Sequence, residues 1–170
     1  MRTATFALIF GIAYFAAGVL GLIPAALLPP PADAPPTTFT VLYGYLIGLF
    51  PVNLLHTAVH LAIGVWGIAA WGGPANPKVY ARSLAILYGV LAVMGLIPVL
   101  NTVFGFIPLH SHDVWLHAGT AVIAAYFGWR KDEMDTERRM SSERRQRMIP
   151  VARERRLGVT DRRELGYGGA

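Results

Sequence analysis

From Met1 to Trp129 only five side chains carry a formal charge: Arg2, Asp33, Lys78, Arg82 and Asp113. With 15% charged residues in 170 and a mean hydropathy of +0.45, such a chain reads as an integral membrane protein rather than a soluble domain. The stretch Phe50 to Trp71, FPVNLLHTAVHLAIGVWGIAAW, is the most informative part of it. Between Val52 and Trp71 there is no charge, and a helix of that length just crosses a hydrocarbon core of ~30 Å. Asn53, His56 and His60 lie inside it at steps of three and four, which places them on one helix face. Polar groups at membrane depth are costly unless they turn inward and find partners. That face should therefore point at the rest of the protein.

Taken in order, Thr5 to Leu28 is the first spanning candidate, with Gly11, Gly18 and Gly21 and a kink-prone Pro24. Arg2 and the apolar run after it could open a signal peptide. The run is too long for one, and the small-residue pattern Ala32-Asp33-Ala34 is followed at once by Pro35, so an uncleaved helix is expected. Pro29 to Pro36 is an exposed, extended connector. Thr37 to Phe50 is apolar; a helix continued from Thr38 to Trp71 would reach about 51 Å, too long for the bilayer. Pro51 is thus expected to separate a short interfacial segment from the second helix, 52–71. Gly72 to Lys78 is a turn, Tyr80 to Pro98 the third helix with Arg82 snorkelling from its start, and Leu100 to His112 a second apolar loop. Asp113 to Trp129 is the last helix, with Asp113 at its N-cap.

In a four-span arrangement Arg2, Lys78, Arg82, Arg130 and Lys131 share one side, and the other side carries Asp33, Asp113 and histidines but no Lys or Arg. The positive-inside rule makes the protein multi-pass in the cytoplasmic (inner) membrane with both termini cytoplasmic. Trp71, Tyr80 and Trp129 are expected in the inner aromatic belt, and Tyr43, Tyr45 and Trp115 in the outer one.

The two halves echo one another. Gly21-Leu22-Ile23-Pro24 ends the first helix and Gly95-Leu96-Ile97-Pro98 the third; Gly48-Leu49-Phe50-Pro51 precedes the second and Gly105-Phe106-Ile107-Pro108 the fourth. Leu55-His56 matches Leu116-His117, and Gly67 matches Gly128 at the same spacing. A two-helix unit returns the chain to its starting side, so the copies are parallel repeats about an axis along the membrane normal. His56 and His117 become equivalent positions, able to face each other.

The run Pro51-Val52-Asn53-Leu54-Leu55-His56 with His60 and Gly64, followed by Pro108-Leu109-His110 and Asp113-Val114-Trp115-Leu116-His117, resembles a bacterial family of four-helix membrane proteins, domain-of-unknown-function family 4383. The likeness covers roughly residues 5 to 129. It implies a four-span fold and, by its label, no agreed activity.

Asn53, His56, His60 and His117 are expected to converge in the outer half of the bundle, with Asp113, His110 and His112 at its mouth. One reading is a hydrogen-bonded network joining the helices. The sharper reading is a transition-metal site. His at i and i+4 on one helix plus a third His from a facing helix give three nitrogens, and Asp113 supplies a ligand or orients a ring. The absence of Cys disfavours Cu(I) and leaves Zn(II), Cu(II) or Ni(II). A further reading sets haem b between His56 and His117, against which the outer side offers no Arg or Lys for the propionates. A quinone site or proton relay is open to histidines, but no chain of ionisable residues crosses the membrane. Ser111 and Ser83 give no nucleophile–base pair, so no enzyme is assigned.

Twelve of the fifteen Lys and Arg lie from Arg130 onward, beside eight of the ten Asp and Glu. Residues 130–170 read as a solvated, partly disordered, charged tail, with Arg130, Lys131, Arg138 and Arg139 placed to meet anionic lipid at the membrane surface. No interleaved aromatics point to nucleic acid, and four short spans enclose little volume for transport unless the chain forms a homo-oligomer. The expected fold is thus an all-α membrane protein: a domain of residues 1–129 with four transmembrane helices (about 5–28, 52–71, 80–98 and 113–129) as two parallel helical-hairpin repeats, plus the cytoplasmic tail. Its expected role is a small membrane protein whose His/Asn/Asp cluster organises the bundle or binds a ligand; the alternative is a metal- or haem-dependent redox or sensing component.

Overall fold

The computed structural model describes residues 2–73, 75–130 and 140–144. The chain divides after Arg130. Beyond that point residues 140–144 are helical, while Lys131, Arg138 and Arg139, expected at the membrane surface, lie outside the described residues.

Four α-helices carry the first unit: α1 (Thr3–Gly21), α2 (Leu54–Gly72), α3 (Pro77–Gly95) and α4 (His112–Trp129). Proline chemistry sets several of their ends. α1 stops at Gly21 rather than running to Leu28, because Pro24 has no N–H to continue the helix and forces Ile23 into extended backbone (φ −99°, ψ 106°). Pro98 likewise has no N–H with which to continue α3, which ends at Gly95. Its start is earlier than expected, since Asn76 accepts the Lys78 N–H at 2.9 Å and Pro77 takes the first helical position. Among the described residues, α1, α2 and α3 are long and apolar enough to cross a membrane. α4 has 18 residues and carries His112, Asp113 and His117 in its first two turns.

The chain is mostly helical but not all-α. After a 3-10 turn at Pro24–Ala26, residues 27–52 contribute a small antiparallel sheet in the order β1 (Leu27–Leu28), β2 (Gly44–Leu46), β3 (Phe50–Val52). Leu27 pairs with Leu46 and Leu28 with Tyr45; Gly44 pairs with Val52 and Leu46 with Phe50. The β2–β3 hairpin turns through Ile47 (φ 49°) and Gly48 (φ 76°), the left-handed pair that matches strand twist. Pro51 fits because β3 is an edge strand and needs no further donor there. The segment expected as a short interfacial stretch before Pro51 is thus folded into a sheet that caps the helices. It is tied to the second loop, where the Gly105 carbonyl accepts the N–H groups of Thr38 (2.8 Å) and Phe39 (3.1 Å).

α1 lies antiparallel along α2, and α3 along α4. Contact on the first pair is backbone-close: a Cβ on Gly11 would meet the Ile68 nitrogen at 2.7 Å, and one on Gly64 the Phe15 nitrogen at 2.5 Å. Small residues permit this approach, which is how helices associate where lipid supplies no hydrophobic drive. In the second pair the Arg82 Nε donates to the Gly128 carbonyl (2.9 Å) and its guanidinium lies over the Trp129 ring. The core between the pairs is aromatic, with Phe6 stacked on Phe127 at 4.8 Å and Trp66 edge-on to Tyr80 at 5.3 Å. Outward positions such as Ile12, Val65, Ile86 and Val122 are apolar and exposed, as a lipid-facing surface requires. Two aromatics assigned to the belts are instead buried: Tyr80 is packed against Phe6 and Trp66, and Tyr45 against His110. Trp71, Trp115 and Trp129 are exposed.

Candidate metal centre

The starts of α2 and α4 meet beneath the sheet cap. His56 and His60 are one turn apart on α2, and Asp113 and His117 one turn apart on α4, so each helix presents two chemically competent side chains inward. His56, His60 and His117 each bring a ring nitrogen to within 4.8 Å of the others, and all three are buried. The His56 and His60 rings are 4.4 Å apart by centroid, and His56 and His117 6.1 Å. Asp113 is 1% exposed; its Oδ2 lies 3.5 Å from His117 Nε2 and 4.0 Å from His56 Nε2.

Asp113 is not the N-cap. Ser111 holds that position, in left-handed backbone (φ 63°), and Asp113 is the second helical residue. The displacement matters: an N-cap carboxylate would turn back to its own backbone, whereas this one reaches the imidazoles. Two helix N-termini favour a negative group here, and Asp113 supplies it.

The cluster is incompletely satisfied. Nδ1 of His56, His60 and His117 and Oδ2 of Asp113 are buried with no hydrogen-bond partner among the described residues. Buried polar atoms are nearly always paired, and four orphans in one place depart from that rule. For a tetrahedral ion with Zn–N of ~2.0–2.1 Å, ligand nitrogens sit about 3.3 Å apart, so small ring rotations would close the triad on an ion. Three imidazoles and a carboxylate are a donor set for Zn(II), Cu(II) or Ni(II). Haem fits poorly. The His56 and His117 nitrogens that would hold it both face the Asp113 carboxylate.

The remaining polar residues have other work. Asn53 is fully buried and caps α2, its Oδ1 accepting the His56 N–H at 3.0 Å. Its Nδ2 donates to the carbonyls of Phe39 (3.1 Å) and Phe106 (2.7 Å), pinning the loops that carry them to the helix start. His110 packs against Tyr45, 3.4 Å from its hydroxyl, and burial pushes the imidazole below its ordinary pKa. His112 is exposed beside Ser111, outside the cluster.

These residues fall within the stretch that identifies the chain. The family model described as "Domain of unknown function (DUF4383)" matches residues 4–130. The chain belongs to this family. No curated protein and no solved structure matches it. In this DUF4383 domain two further residues enclose the triad. Tyr88 stands edge-on to His117 at 4.8 Å, Tyr14 lies 5.4 Å from His60, and the two tyrosine rings are 5.2 Å apart. The Tyr14 hydroxyl shares a hydrogen bond with Thr120 Oγ1 (3.1 Å). A signal for them was present: Tyr14 stands seven residues before Gly21, as Tyr88 does before Gly95.

Proposed function

We propose that the protein is a four-span protein of the cytoplasmic membrane, built of two parallel hairpin repeats with both termini cytoplasmic, that binds one transition-metal ion through His56, His60 and His117, with Asp113 as fourth ligand or ring-orienting group. The single observation that carries the metal reading is the convergence of three buried imidazoles from two helices, each with a ring nitrogen within 4.8 Å of the others. A purely structural network would use both nitrogens of each ring, whereas Nδ1 of His60 and of His117 has no hydrogen-bond partner among the described residues.

The repeat is supported by burial. Phe6 and Tyr80, Ala7 and Ala81, Tyr14 and Tyr88, and Gly21 and Gly95 are all buried, each pair at the same sequence separation. The turn glycines Gly48 (φ 76°) and Gly105 (φ 91°) share a left-handed backbone. Orientation is testable because the chain lacks cysteine: a Cys at Asp33 should react with an impermeant thiol reagent from outside intact cells, and one at Lys78 only after permeabilisation. For the site itself, Co(II) added to the purified full-length chain should develop visible d–d bands of a low-coordinate N/O site. Those bands should be absent from His56→Ala and His117→Ala. No bands in the unsubstituted protein would contradict the proposal.

A further inference from the structure

A cleft of about 400 Å³ runs between α1 and α4, whose direct contact is slight. Its walls are largely apolar and aromatic, from Phe10, Tyr14 and Trp115, and it reaches His60, Gly119 and Thr120. Trp115 at its edge is 69% exposed, on the lipid-facing surface of the proposed bundle, whereas His60 at its floor is 6% exposed. A small-molecule site has this character: mostly apolar, a few hundred Å³, with a small number of convergent polar groups.

The floor carries the decisive feature. His60 Nδ1 is buried and has no hydrogen-bond partner among the described residues, although its ring lines the cleft. Beside it sits the Tyr14–Thr120 hydroxyl pair. An acyl chain would fill the apolar walls but leave the imidazole unsatisfied. A flat ring bearing a carbonyl oxygen would satisfy both the aromatic walls and the nitrogen. Gly119 keeps the wall open, since a Cβ there would meet nothing within 4 Å.

We propose that this cleft is a lateral entry from the bilayer for a quinone-class ligand, whose ring lies between Tyr14 and Trp115 and whose carbonyl oxygen accepts a hydrogen bond from His60. The site does not depend on a metal: His60 has two ring nitrogens, and one remains for the ligand when the other coordinates.

The test uses the full chain in lipid nanodiscs with 2-methyl-1,4-naphthoquinone as probe, read by quenching of tryptophan fluorescence. Quenching should saturate, and 2-methylnaphthalene, which has the ring but no carbonyl, should bind at least tenfold more weakly. Gly119→Leu, whose Cβ meets nothing within 4 Å and whose side chain enters the cleft, should weaken binding at least tenfold without lowering the thermal unfolding temperature or the metal content. His60→Ala should weaken the quinone and leave 2-methylnaphthalene unaffected. Non-saturating quenching, or equal affinity for the two probes, would show a plain lipid-facing groove and overturn the inference. Undiminished binding to Gly119→Leu would overturn it as well. Because Gly119 lies outside the histidine triad, loss of quinone binding there with metal retained separates this site from the metal centre.

Discussion

Oδ2 of Asp113 lies 3.5 Å from Nε2 of His117, one turn further along the same helix, and 4.0 Å from Nε2 of His56 on another helix. One carboxylate thus faces two imidazoles from the two hairpins. In metal sites such a carboxylate fixes ring orientation and raises ligand basicity. Asp113→Asn should keep the helix start while lowering metal affinity about 10–100-fold. Isothermal titration of the purified variant with Zn(II) measures this, and an unchanged affinity would remove Asp113 from the site.

Glycine positions should separate sharply by location. Gly64→Leu forces atoms into the Phe15 backbone, 2.5 Å from the position of the new Cβ, and should destabilise the bundle by about 1–3 kcal/mol or more. Gly119→Ala meets nothing and should change stability by no more than about 0.5 kcal/mol in the unfavourable direction. Reversible unfolding in mixed micelles would read both.

Asn53→Ala should be among the costlier polar substitutions. It removes the α2 cap and leaves the Phe39 and Phe106 carbonyls without their donor. Loss of a cap alone costs about 1 kcal/mol, and each buried unpaired carbonyl adds roughly 1–3 kcal/mol. The loss should appear as faster amide hydrogen exchange in the two loops around Phe39 and Phe106; exchange unchanged there would contradict the pinning role.

Acid should loosen the cap. Burial holds His110 below its ordinary pKa, so the unfolded chain takes up a proton before the folded one does. That contribution to stability is full above about pH 6.5 and declines as the pH falls below it. Melting temperatures at pH 7.5 and 5.5 should therefore differ less in His110→Gln than in the unsubstituted chain. An equal or larger difference would assign the effect elsewhere.

Much of the helical frame was legible because it rests on run length and charge, and the three histidines because i, i+4 spacing and the echo between Leu55-His56 and Leu116-His117 are direct sequence properties. The sheet was not. Residues 41–52, which hold β2 and β3, are apolar like the spans around them, and only tertiary pairing distinguishes a membrane-surface segment from a folded cap. α1 was read too long because hydropathy continues past Gly21, although Pro24 already marks where the backbone must leave the helix. The burial of Tyr80 was masked by its place near a helix end, where exposed aromatics are usual. Tyr14 and Tyr88 read as two unremarkable aromatics until their common spacing from Gly21 and Gly95 is noticed.

The most direct test of the central claim is the metal content of the full-length protein, purified in detergent and equilibrated with Zn(II), Cu(II) or Ni(II) before removal of free ion. The arrangement of His56, His60 and His117 requires about one bound ion per chain for at least one of these metals, falling to background when His56 and His117 are both alanine. A well-folded protein that retains no stoichiometric metal, or a double variant that retains as much as the parent, would contradict it.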